Sequence, residues 1–199
     1  IDEWGTWYDV EPGTNPGFLY QQNTMRDAMV AAINLNLFNR HCDRVKMANI
    51  AQMVNVLQAM ILTEGDAMVL TPTYYVFDLY QCHQGAELLE SSVNCGEIET
   101  ELGTIPGITQ SASFGEDGKV HITIANLSAD RGEAVTVHFG EDMPAELSVE
   151  MICGGMRDKN TFEEPDCVKK VVWKEGRMEG NCVVLELPAC CVVHLECLV

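Results

Sequence analysis

Apolar residues recur along this chain with two different periods, and the change comes near residue 86. Met25, Ala28, Met29, Ala32, Leu35 and Phe38 fall at helical spacing, with Asn23 or Thr24 placed to cap the first turn and Asp27 inside it. A second helix is expected from Thr71-Pro72-Thr73, where proline suits the opening turn. Tyr74, Phe77 and Tyr80 would share one of its faces, with Gly85 beyond its end. Ahead of the first helix, Ile1 to Tyr8 has the pattern of a strand end opening into a loop, and the Pro and Gly residues between Asp9 and Gln22 continue that loop. Arg44 to Ile50 alternates in part and reads as a short strand. Strand, helix and strand in that order imply a parallel crossover. Ala51 to Leu62 is apolar with interspersed amides and fits either helix or structured loop, and Glu64-Gly65-Asp66 is a turn. Two parallel strands and two helices leave most of a core unmade, so a partner or further sequence is expected to complete the sheet.

From Ala86 onward the period shortens to two. Asp117-Gly118 separates Ser111 to Phe114 from Val120, Ile122 and Ile124, which reads as a hairpin. Val135, Val137 and Phe139 form a further half-buried strand, and so do Leu147, Val149 and Met151. Val183, Leu185 and Leu187 are followed across Pro188 by Cys191, Val193 and Leu195. Short strands at this spacing predict a β-sandwich of jelly-roll type.

Charge narrows the partners. With 30 acidic against 12 basic residues, the formal net charge of -18 argues against nucleic acid and against an anionic membrane, and a neutral substrate fits better. No apolar run reaches spanning length. The start has neither a basic leader region nor an initiating Met, as expected of a chain that begins within a longer protein. The nine cysteines are odd in number and lack CxxC spacing, so they are expected to be reduced thiols in a cytoplasm. His121, His138 and His194 lie within strands and could ligate a metal only by converging on one polar face. Cysteines as small buried hydrophobes, with no metal or redox site, are the first expectation. His41 and His83 are expected beside helix ends, where imidazoles meet terminal carbonyls.

Candidate chemistry concentrates in the first eight residues, Ile1-Asp2-Glu3-Trp4-Gly5-Thr6-Trp7-Tyr8. Indole faces stack on the C–H surface of a sugar, and a carboxylate can attack or stabilise an oxocarbenium-like centre. On these residues alone the plainer reading stands first: a solvated acid beside core tryptophans. Asp2 and Glu3, neighbours along a strand, point to opposite sides and do not form a catalytic pair. Gln52, an amide in an apolar run, needs partners if buried, and a sugar hydroxyl would supply both donor and acceptor.

The runs IDEWGTWYD, PGFLYQQNTMRDAMVAA, NRHCDRVKMANIAQMVNVLQAMILT and LTPTYYVFDLY, with the later DKNTFEEPDCV, resemble in order the carboxyl-terminal half of the α-L-arabinofuranosidases of glycoside hydrolase family 51. The resemblance covers nearly the whole chain. It implies residues 1–85 as the carboxyl-terminal part of a (β/α)8 barrel and residues 86–199 as a β-sandwich accessory domain. It also implies a retaining hydrolase that releases terminal α-L-arabinofuranosyl groups from oligosaccharides and polysaccharides. Glu3 matches the family's nucleophile, Gln52 a substrate-contacting amide after the eighth strand, and Trp7 an aromatic on the aglycone side. No metal or organic cofactor is implied, and a homo-oligomer is. The family's acid/base Glu, in an Asn-Glu pair after the fourth strand, has no counterpart here, so half an active site and an inactive isolated chain are expected. Two other readings stay open: a non-catalytic module with an inert barrel remnant, and a related barrel glycosidase of another sugar specificity.

Overall fold

The computed structural model describes residues 1–199. Its elements in chain order are α1 (Met25–Arg40), β1 (Ile61–Glu64), β2 (Ala67–Leu70), α2 (Pro72–Tyr80), β3 (Glu87–Leu89), β4 (Glu97–Thr100), β5 (Gly103–Pro106), β6 (Ile108–Phe114), β7 (Val120–Asn126), β8 (Glu133–His138), β9 (Ala145–Cys153), β10 (Val171–Val172), β11 (Arg177–Glu179), β12 (Cys182–Leu187) and β13 (Cys191–Leu198). The largest sheet runs β10-β9-β13-β7-β6-β3, and a three-stranded sheet, β11-β12-β8, faces it. All of these strand pairs are antiparallel. This is the expected β-sandwich, and the hairpin across Asp117-Gly118 pairs Phe114 with Val120.

Alternation explains the layers. Val120, Ile122 and Ile124 of β7 and Val193 and Leu195 of β13 point between the sheets, where they meet Leu185 and Leu187 of β12 and Val149 of β9. The opposite faces of the same strands carry Ala125 and Val192. These join Met25, Ala28, Met29, Ala31 and Ala32 of α1 with Val76, Leu79 and Tyr80 of α2 in a second buried layer. Alanines on α1 keep its axis close to the sheet. Packing is therefore continuous across the change of pattern near residue 86. Lys170 adds a polar tie, with its Nζ 2.6 Å from Asp78 of α2 and 3.2 Å from Glu150 of β9.

Two local expectations are corrected and two are filled in. The buried face of α2 is Pro72, Thr73, Val76, Leu79 and Tyr80, whereas Tyr74 and Phe77 are only half-buried. The helix is turned by its contacts with α1 and β9, which periodicity does not specify. Residues 44–49 are irregular, and only Ile50 pairs, with Trp4. Glu64-Gly65-Asp66 does form a turn, but it links β1 and β2, a hairpin not anticipated from the residues. Residues 51–60 form a structured loop with no helix.

Candidate functional site

The chain start runs parallel to the segment around Ile50. The Asn49 N–H donates to the Ile1 carbonyl at 3.2 Å, the Trp4 N–H to the Asn49 carbonyl at 3.0 Å, and the Ala51 N–H to the Trp4 carbonyl at 2.8 Å. The Trp4–Ile50 bridge is parallel, as the crossover argument requires. Glu3 immediately precedes the bridge and Gln52 follows it by two residues, so the two stand on adjacent parallel segments, and both are exposed. Trp4 turns inward, stacked on Phe77 at 5.9 Å and edge-on to Phe38 at 5.4 Å. Trp7 is 67% exposed. Gln52 lines a hollow of about 610 Å³ with Phe18, Leu19, Tyr20, Asn55 and Val56.

Gln52 is thus not a buried amide in this chain. Gln58, six residues on, is: it is fully buried and lies under the turn that follows Glu3. Its Oε1 accepts the Thr6 N–H at 2.9 Å, while its Nε2 donates to the Asp27 carbonyl at 2.7 Å and to Thr73 Oγ1 at 3.3 Å. Gly5 makes this approach workable. Its φ is +138°, and a Cβ there would lie 2.9 Å from Gln58 Oε1.

Asp27 is the centre of this buried set. Its Oδ1 accepts the Thr6 hydroxyl at 2.6 Å. Its Oδ2 accepts the Thr24 N–H at 2.8 Å, closing the capping box that starts α1, and Arg26 reaches the same oxygen at 3.3 Å. Gln21 Nε2 donates to Thr6 Oγ1 at 3.1 Å, and its Oε1 accepts the Tyr8 N–H at 2.8 Å. The Arg26 guanidinium lies 3.6 Å from the centre of the Tyr8 ring. Burial pushes the Tyr8 phenol above its ordinary value, with Arg26 acting the other way and Asp27 reinforcing the rise. Tyr20, beside the hollow, is raised by burial and then by Glu11. Sequence pattern marks Asp27 only as an acid within the first turn of α1. Gln58, an amide among apolar neighbours in the same run as Gln52, is the sequence signal for this set.

The histidines do not make one ligand set. His138, on the smaller sheet, has its Nδ1 2.9 Å from Cys182 Sγ, whereas His121 and His194 meet on the helix side of the larger sheet. Cys82 approaches that pair, the three ligating atoms lying within 4.8 Å of one another. His121 Nδ1 faces His194 Nε2 at 3.0 Å with ring centroids 5.3 Å apart, a separation taken up by that contact and one ring radius at each end. The two lone-pair axes therefore point at each other, as in a direct N–H···N bond. Around a tetrahedral ion they would converge at an angle. His121 Nε2 continues the chain to Asp117 Oδ1 at 3.1 Å. His83 does not meet helix carbonyls; its ring bonds Ser113 at 2.7 Å and Thr123 at 2.9 Å on the sheet. His41 is the C-cap residue of α1.

An antiparallel sandwich bearing two helices, with an exposed carboxylate just ahead of a short parallel bridge, defines the class: a β-sandwich module. More closely, the chain belongs to the α-L-arabinofuranosidase C-terminal domain family, within glycoside hydrolase family 51, whose profile matches residues 2–190. It is 44% identical over 198 residues to an intracellular exo-α-L-arabinofuranosidase of Bacteroides ovatus, covering 98% of this chain and 38% of that protein. An exo-α-(1→6)-L-arabinofuranosidase of Bifidobacterium longum is 28% identical over 183 residues, covering 84% of this chain and 35% of that protein. Among solved structures, the family 51 arabinofuranosidase of Xanthomonas axonopodis pv. citri superposes with a TM-score of 0.95 at 44% identity, over 99% of this chain and 40% of that one. The chain spans about two fifths of the length of these relatives.

Proposed function

We propose that this chain is the carboxyl-terminal part of a retaining α-L-arabinofuranosidase that releases terminal non-reducing arabinofuranosyl groups from oligosaccharides and polysaccharides. In this reading Glu3 attacks the anomeric carbon, Gln52 holds the furanose hydroxyls, and Trp7 walls the leaving-group side. Residues 1–85 supply the last strands and helices of a (β/α)8 barrel, and residues 86–199 the accessory sandwich. The observation that carries it is the parallel bridge of Trp4 with Ile50, beside which Glu3 and Gln52 stand on adjacent segments, an arrangement that supports barrel chemistry. Exposed Phe18, Met47, Met53 and Met68 on the same part of the chain support a larger sheet or an oligomer covering them. A cytoplasmic location is supported by the Bacteroides ovatus relative, which is named intracellular. No helix here is long and apolar enough to cross a membrane.

The test uses the complete enzyme carrying Glu3→Gly with an activated aryl α-L-arabinofuranoside and excess azide. Azide should occupy the vacated nucleophile position and yield the β-arabinosyl azide, with inversion. An α-azide, formed through a surviving covalent intermediate, would make Glu3 the acid/base instead. The 199-residue chain alone should not turn the substrate over, since retaining hydrolysis needs a second carboxyl group as acid.

A further inference from the structure

We propose that Asp27 is a positioning residue for the reaction, setting the Glu3 carboxylate through the hydroxyl of Thr6. This deepens the nucleophile reading of Glu3 and rests on it. The turn from Glu3 to Tyr8 belongs to no helix and, apart from the bridge at Trp4, to no strand. Its shape is held from two sides. Upstream, the Trp4 backbone is bonded to Asn49 and Ala51, and the indole is clamped by Phe38 and Phe77. Downstream, every polar atom of Thr6 is engaged: its N–H by Gln58, its hydroxyl proton by Asp27, and its hydroxyl lone pair by Gln21.

Of these contacts, the hydroxyl to Asp27 at 2.6 Å is the shortest, in the range of a charge-assisted bond. Asp27 is itself fixed. It is fully buried in the first turn of α1, and its other carboxylate oxygen is committed to the Thr24 N–H. A carboxylate is the group that serves both ends, because it accepts on two oxygens. An amide in its place offers one acceptor and one donor, so either the Thr6 hydroxyl proton or the Thr24 N–H loses its acceptor. Trp7 lies between Thr6, held by Asp27 and Gln21, and Tyr8, held by Gln21. Helix α1 thereby reaches, through Thr6, the turn that carries Glu3 and Trp7.

The experiment uses the complete enzyme with Thr6→Val, which keeps the shape and removes the hydroxyl, together with Asp27→Asn and Thr6→Ser. With an aryl arabinofuranoside, Thr6→Val and Asp27→Asn should each lower kcat by roughly 10–100-fold, as expected for a displacement near an ångström, with KM changed little. Thr6→Ser should restore most of the rate, and the double variant Thr6→Val/Asp27→Asn should lose no more than the worse single variant. A purely structural role would lower the melting temperature of these variants while leaving kcat per folded molecule at the wild-type value, and that result overturns the proposal. Multiplicative losses in the double variant overturn it as well. Where Asp27→Asn does not fold, Thr6→Val against Thr6→Ser decides alone. Glu3→Gly with azide, run in parallel, separates the two levels. A β-azide product with normal Thr6→Val kinetics rejects the role of Asp27 only, whereas an α-azide product rejects the assignment of Glu3 on which it rests.

Discussion

Residues 1–71 and the sandwich solve the same problem, holding backbone in place, by different means. In the sandwich, β13 is bonded along its length to β7 on one side and β9 on the other, and its side chains fill an aliphatic layer between the sheets. In the first region the strand pairing shrinks to single bridges at Trp4–Ile50, Tyr20–Leu57 and Val54–Ile61, plus the short β1–β2 hairpin. There the fixing is done by buried side chains: Asp27, Gln58, Gln21, and Asn23, whose Nδ2 donates to the Ala59 carbonyl and to Thr73. A ladder specifies register over many residues, but it cannot bend the chain sharply around one carboxylate. A set of amides and a carboxylate can, at the cost that each member left unpaired is expensive. The two regions are therefore expected to fail differently.

The largest effect should come from Leu185→Ala, which empties part of the layer between the sheets at a fully buried position and should cost about 2–5 kcal/mol. Denaturant unfolding should show a single shifted midpoint, and loss of amide protection confined to β12 would contradict the picture of one continuous sandwich core. Gln58→Leu comes next. It strands the Thr6 N–H and removes the second donor from the Asp27 carbonyl, for about 1–3 kcal/mol in local terms. Hydrogen exchange should accelerate in residues 1–24 while β7 and β13 keep their protection, and equal acceleration in both would remove the contrast drawn above. Gly5→Ala should follow at about 1–2 kcal/mol, from its positive φ and from the Gln58 Oε1 that a Cβ would meet. Limited proteolysis near the chain start should report it, and an unchanged cleavage rate would show that the turn relaxes freely. Trp7→Ala should be smallest, within about 0.5 kcal/mol because the ring is mostly exposed. In the complete enzyme the same change should alter discrimination among aglycones; identical kcat/KM ratios across aglycones would remove Trp7 from the site.

Much of this was legible in the residues because it depends on near neighbours. Thr24 and Asp27, three apart, mark the start of α1, and Asp117-Gly118 between alternating apolar runs marks the β6–β7 hairpin. The alternation of Val120, Ile122 and Ile124 determines that these side chains share a face. It does not determine that the face meets β12, some sixty residues away, or that the opposite face accepts α1 and α2. Periodicity placed Tyr74, Phe77 and Tyr80 together on α2, yet which part of that helix is buried depended on the surfaces of α1 and β9. The same limit separates Gln52 from Gln58: both are amides in one apolar run, and only the path of residues 51–60 leaves the first in solvent and brings the second beneath Thr6. The sequence by itself therefore determined the two helices, the main alternating strands and the sandwich class, since each is written in residues close along the chain. Tertiary structure alone decided which polar groups meet, because a hydrogen bond such as that between Thr6 and Asp27 joins residues whose separation carries no periodic signal.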